Sequence, residues 1–187
     1  LWEESEGLLV WHNIHINENI IRKLKNCKVI VRIGVGYDNI DLIAANEKKI
    51  TVCNVPDYGT NDVADHTIAL MLSLVRGIDK YNYEVKYKEK WDWGSGGKLK
   101  RLSDSTIGLI GLGRIGTAVA MRARSFGMKI NFFDPFIPHG TDKSLLINRS
   151  NNLKELIESS DILSIHTPLT SETFEMVNNN FLRMMKP

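Results

Sequence analysis

The chain has 187 residues, of which 43% are hydrophobic and 25% charged, with a formal net charge of +2. That balance belongs to a globular protein rather than a disordered one, and the length admits one large domain or two small ones. No apolar run approaches the ~20 residues of a membrane helix, and so small a charge does not mark a nucleic-acid surface.

The first expected strand is 7–11, followed by His12 and His15. Their i, i+3 spacing would suit a metal pair on a helix face, but they follow a strand, and no metal site is expected. Helical spacing then covers 17–25, a strand 29–33, a second helix 41–49, a strand 51–55 and a third helix 62–76. This third helix is apolar on more than one face, as suits an element packed between two domains, and a boundary is expected near Leu74. Cys27 and Cys53 stand beside apolar strand-like runs and read as reduced, buried thiols, which points to a reducing, cytoplasmic compartment.

The stretch from Lys80 to Lys90 interleaves lysines with Tyr81, Tyr83 and Tyr87, and reads as a solvated helix face in preference to a base-stacking platform. Lys90 to Lys98, with Gly94, Gly96 and Gly97, reads as a long exposed loop. Strands are expected again at 106–110, 129–133 and 162–166, with helices at 115–126 and 153–159. Strand and helix in alternation mean α/β architecture with parallel sheets covered on both faces.

Within this rhythm, the strand ending at Ile110 runs into Gly111-Leu112-Gly113-Arg114-Ile115-Gly116 and then into a helix. Gly111 permits the tight turn, Gly113 lets the backbone approach a pyrophosphate, and Gly116 lets the helix pack closely on the strand. Amides at that helix's N-terminus favour the phosphate charge. The next strand ends in Asp134, about 20 residues past the glycines, where a carboxylate can accept the adenosine ribose hydroxyls. Its plain alternative is a turn residue before Pro135. The acid favours NAD or NADH over NADP, whose 2′-phosphate it would repel. The loop after the last strand, His166-Thr167-Pro168-Leu169-Thr170, lies at the carboxyl end of the sheet and should border the nicotinamide. His166 reads as a packed or backbone-bonded residue in preference to a general base.

Five motifs together, VRIGVGYDNID (31–41), CNVPDYGTNDVADHTIALML (53–72), GLIGLGRIG (108–116), FFDPF (132–136) and HTPLTSET (166–173), resemble the D-isomer-specific 2-hydroxyacid dehydrogenases. The first two are most similar to the C-terminal-binding-protein branch of transcriptional corepressors. The resemblance implies a doubly wound, Rossmann-like NAD-binding domain (75–187, truncated at its end). Before it would come an incomplete flavodoxin-like substrate domain (1–74), with hydride passing between NAD and a small 2-oxo or 2-hydroxy acid. It implies that Gly34, Val35 and Gly36 offer amides to the substrate carboxylate with Arg32 nearby, although the two glycines would equally serve a simple turn. It places Arg114 and Ile115 at the pyrophosphate, Thr67 near the nicotinamide, and Thr167, Pro168 and Thr173 along the cofactor's other side. Thr67 and Thr173 could equally be ordinary helix-surface or capping residues.

The Arg, acidic residue and His that do the family's acid–base work would lie after Pro187, so no catalytic residue is expected here and these residues alone should turn over no substrate. The chain starts at Leu1 without an initiator methionine and stops at Met184-Met185-Lys186-Pro187, and it is expected to be a fragment lacking the family's complete first strand. Dimerisation is expected through the cofactor domain and the Tyr81–Trp93 region. A NAD-regulated binding and dimerisation module of corepressor type is the second reading.

Overall fold

A computed structural model describes residues 2–186; Leu1 and Pro187 lie outside the described residues. The chain divides into two compact units, residues 1–59 with 168–174, and residues 60–167 with 175–187.

The first unit carries strands β1 (Gly7–Val10), β2 (Val29–Arg32) and β3 (Thr51–Asn54) and helices α1 (Glu18–Lys23) and α2 (Leu42–Glu47). The strands form a parallel sheet in the order β1-β2-β3. Asn17 and Asp41 cap the two helices, their side chains accepting the amides of Ile20 and Ala44. Such caps are worth about 1 kcal/mol each. Its core gathers Val10, Ile21, Leu24, Ile30, Ala45 and Ile50.

The cysteine reading needs correcting here. Cys53 is exposed and Cys27 half-buried, and both are free. The register aligns Leu9, Val31 and Cys53 across the sheet, one step out of phase with the Leu8, Ile30 and Val52 row that packs against the core. Side chains alternate between faces along a strand, so this row points the other way.

The second unit holds α3 (Thr60–Val75), α4 (Ile78–Lys88), β4 (Thr106–Ile110), α5 (Arg114–Ser125), β5 (Lys129–Phe133), α6 (Thr141–Leu145), β6 (Asn148–Arg149), α7 (Leu153–Ser159), β7 (Ile162–Ile165) and α8 (Asn179–Met184). Its four parallel strands lie in the order β6-β5-β4-β7. The chain therefore steps outward from β4 through β5 to β6, then crosses back to place β7 on β4's other side. That reversal is the topological switch point at which doubly wound sheets bind ligands.

Where the sequence places a boundary near Leu74, the units divide before α3, between Gly59 and Thr60. The reason is burial: Ala64, Ile68 and Met71 of α3 share a core with Val119, Ala120 and Ala123 of α5 and with Leu109 and Phe132 of the sheet. The same helix leaves Leu70 and Leu74 exposed. The glycine-rich loop expected at 90–98 contains a short 3-10 turn, Trp93–Gly96, whose Gly94 amide donates to the Asp92 side chain. Gly96 packs against the Tyr81 ring, where no side chain would fit. The short elements α6, β6 and α8 carry too few residues for a periodic pattern.

Candidate functional site

At the carboxyl end of β4, Gly111 has φ +92°, a region that disfavours residues with a Cβ. A Cβ there would also lie 2.8 Å from the His166 carbonyl oxygen. The turn and the close approach of β7's end both need glycine at this place. The loop is tied on either side: Gly111 N–H donates to Phe133 O at 2.9 Å, and His166 N–H donates to Ile110 O at 2.8 Å.

Gly113 and Gly116 solve different problems. Gly113 opens α5, has an ordinary backbone, and has open space where a side chain would stand. A Cβ on Gly116 would collide with the Gly111 carbonyl oxygen, so this glycine is fixed by the packing of α5 on its own loop. The positive end of α5, where first-turn amides lack partners within the helix, thus has clear space over Gly113. An open cradle of amides is what a pyrophosphate requires.

Asp134 follows β5 and is half-buried. One carboxylate oxygen accepts the Leu112 amide at 2.8 Å and the other accepts the Phe136 amide at 2.9 Å. Each oxygen retains a second lone pair, which leaves the group able to accept hydroxyls from a ribose. The plain turn role weighed for Asp134 is therefore real, and it leaves the carboxylate with lone pairs to spare. Thr117 closes the loop from the helix side, its hydroxyl donating to Leu112 O.

His166 follows β7 directly, with its ring half-buried and Nε2 2.9 Å from the Ser164 hydroxyl. Burial pushes its imidazole below the usual histidine range, which favours the neutral ring. Thr167 lies beside Gly111, its methyl 3.1 Å from the place of the missing Cβ. The structure thus gathers Gly111, Gly113, Arg114, Ile115, Gly116, Asp134, His166 and Thr167 at the carboxyl ends of three adjacent strands.

The remaining candidates are placed elsewhere. Thr67 lies within α3, and its hydroxyl donates to Val63 O one turn back. Pro168 and Thr173 fall in the segment grouped with the first unit. There the Thr173 hydroxyl donates to Pro168 O at 2.6 Å and accepts the Thr170 amide at 2.8 Å, which locks the loop onto itself.

In the first unit, Arg32 folds its guanidinium over Gly34, filling the space a side chain would take there, and donates to Ile33 O at 2.9 Å. Gly34 accepts the Val55 amide, and Val35 O accepts the Asn54 side chain at 2.8 Å. Among the described residues, the Val35 and Gly36 amides have no hydrogen-bond partner. Two exposed amides beside an arginine suit a small carboxylate. His12 and His15 lie in an irregular, exposed stretch, and no group of three or more candidate metal ligands occurs among the described residues. No helix of the described residues is long and apolar enough to cross a membrane.

A switch-point sheet, a glycine loop leading into a helix and a carboxylate closing the next strand define a dinucleotide-binding α/β domain. Residues 68–187 match the D-isomer specific 2-hydroxyacid dehydrogenase, NAD binding domain, and the chain belongs to that family. It is 38% identical to D-3-phosphoglycerate dehydrogenase of Bacillus subtilis over 97% of its own length and 34% of that relative's. It is likewise 38% identical to C-terminal-binding protein 1 of Caenorhabditis elegans, over 98% of its length and 26% of the relative's. The chain thus spans about a third or less of the curated relatives it matches. Among solved structures, D-lactate dehydrogenase from Aquifex aeolicus, complexed with NAD and lactic acid, superposes with a TM-score of 0.92. That match has 34% identity and covers 99% of this chain and 55% of the other.

The functional reading of the sequence missed one residue. Arg149, on β6, donates to the carbonyl oxygens of Asp134, Ile137 and Pro138. A lone arginine in a two-residue strand offers no periodic or motif signal, so only the fold could bring it to this loop.

Proposed function

We propose that the chain supplies the cofactor-binding part, and a portion of the substrate cradle, of an NAD-dependent oxidoreductase. The enzyme would act on the CH–OH group of a D-2-hydroxy acid or reduce the corresponding 2-oxo acid. The observation that carries this reading is the open space over Gly113 at the N-terminus of α5, with the Asp134 carboxylate hydrogen-bonded to the same loop. The bound nicotinamide would accept or deliver hydride. The residues here would hold it: α5 amides at the pyrophosphate, Asp134 at the ribose, and Thr167 and His166 as the wall beneath. Asp134 favours NAD and NADH over NADP by charge repulsion. Thr67, Pro168 and Thr173 would act nearer the nicotinamide, and Arg32 with the Val35 and Gly36 amides on the substrate carboxylate.

No acid or base is assigned among these residues, since His166 is half-buried and bonded to Ser164. The partners are a small acid and a second copy of the chain, which would pair through the aromatic stretch Tyr81–Trp93, and no nucleic acid. The two free cysteines suit a reducing cytoplasm.

Calorimetric titration with NADH and NADPH, beside Gly113→Val, tests the core of this reading. NADH binding lost in the variant, with weak NADPH binding by the parent, is the expected result. A folded parent that binds neither would overturn it. The similarity to C-terminal-binding protein 1 favours a second reading, a NAD-regulated binding and dimerisation module. NADH-dependent dimerisation without turnover of any 2-oxo acid by the complete protein would favour the module.

A further inference from the structure

We infer that Arg149 is a positioning residue for the adenosine side of the cofactor site, acting through Asp134; the inference rests on the reading of Asp134 as the ribose acceptor. The segment after β5, Asp134 to Gly140, contains Pro135 and Pro138 and has no regular structure. No sheet ladder takes up its carbonyl groups, and Pro138 O accepts the Thr141 hydroxyl as well as the arginine described next. Parallel pairing sets Arg149 of β6 opposite Phe132 of β5. From there the guanidinium lies over the fully buried Phe132 ring at 4.8 Å and reaches the Asp134, Ile137 and Pro138 oxygens at 3.1, 3.1 and 2.8 Å. Asp142 adds a carboxylate oxygen 3.9 Å from Nε, and the side chain is only 20% exposed.

The consequence reaches the site through hydrogen bonds. The same segment holds the Asp134 carboxylate through Phe136 N–H, and that carboxylate holds the glycine loop through Leu112 N–H. Arg149 thereby fixes where the carboxylate stands relative to the glycines. Its planar fork of donors suits several carbonyls at once, which an ammonium does not match. Nη1 and Nη2 are engaged on these carbonyls and the buried Nε has no hydrogen-bond partner, so the guanidinium is held on this loop, and its charge does not reverse the preference set by Asp134.

The test is calorimetric binding of NADH, NADPH and ADP-ribose to the chain and to Arg149→Ala and Arg149→Lys, with thermal melts of each. Arg149→Ala is expected to weaken NADH and ADP-ribose about tenfold, and NADPH less, so that the preference for NADH narrows. Arg149→Lys is expected to keep a cooperative melt yet not restore the preference. A cooperatively melting Arg149→Ala chain with the parent's NADH affinity, or with NADH and NADPH weakened by the same factor, overturns the inference. If Arg149→Ala does not melt cooperatively, Arg149→Lys decides on the same two criteria. A parent that binds no NADH overturns the reading of the glycine site and the inference with it. Intact parent binding with an unchanged preference in the variants overturns the inference alone.

Discussion

The Asp134 carboxylate accepts the Leu112 amide at 2.8 Å, which ties the end of β5 to the glycine loop that ends β4. A residue read as a ligand acceptor is thus also a brace for the glycine loop. Asp134→Ala should cost about 1–3 kcal/mol of stability, because the Leu112 and Phe136 amides lose their acceptor. It should also weaken NADH more than NADPH. Melting and titration of the variant check both; equal weakening of the two cofactors would count against a charge-based preference.

Gly113 and Gly116 separate binding from folding. Gly113→Ala meets open space and an ordinary backbone, so its melting temperature should stay within a few degrees of the parent while NADH affinity falls. Gly116→Ala drives a methyl into the Gly111 carbonyl and should destabilise by about 1–3 kcal/mol. A Gly116→Ala chain as stable as the parent would mean that α5 can move off its loop.

Two groups set two windows of pH dependence. Burial holds His166 below its usual range, so the unfolded chain takes the proton first. Its share of stability is whole above about pH 6.5 and falls as pH drops through that value. Asp161 loses solvation on burial, which raises its pKa, but the Thr106 amide and the ammonium groups of Lys100 and Lys186 outweigh this and hold the carboxyl low. Its share is whole above about pH 4 and is lost as pH falls through the ordinary Asp value toward the lower one. Denaturation at stepped pH should show both declines, with His166→Gln flattening the first and Asp161→Asn the second. A single decline that neither variant alters would refute the assignment.

Trp91 and Trp93 are 92% and 91% exposed, and with Tyr81 and Val85 they line an apolar hollow of about 280 Å³. Aromatic side chains are enriched at the cores of protein interfaces, and exposed apolar patches mark surfaces of that kind. If the chain pairs through this stretch as proposed, Trp91→Ala with Trp93→Ala should shift elution on a sizing column to that of a single chain, and an unchanged elution volume would count against the proposal.

Much of the architecture was legible in the residues. Strands 106–110 and 129–133 and helix 153–159 fall where the pattern puts them, because each is a continuous run bounded by a cap, glycine or charged residue. That the glycines, Asp134 and the β7 loop meet at one end of the sheet was legible, since strand, turn and helix in immediate succession leave the backbone few alternatives. Local chemistry within ten or so residues determined those features.

Only the tertiary structure decided the rest. It assigned α3 to the second unit, because the burial of Ala64, Ile68 and Met71 depends on buried partners in the sheet and α5 more than 35 residues away. It turned Cys53 to an exposed face through strand register, and it brought Arg149 from β6 to the carbonyls after β5. It also assigned each glycine its reason, φ for Gly111, open space for Gly113 and contact for Gly116, a distinction that depends on which atoms lie across the gap. The sequence specifies the turn chemistry, while contacts between distant segments decide which group braces and which is left free to bind.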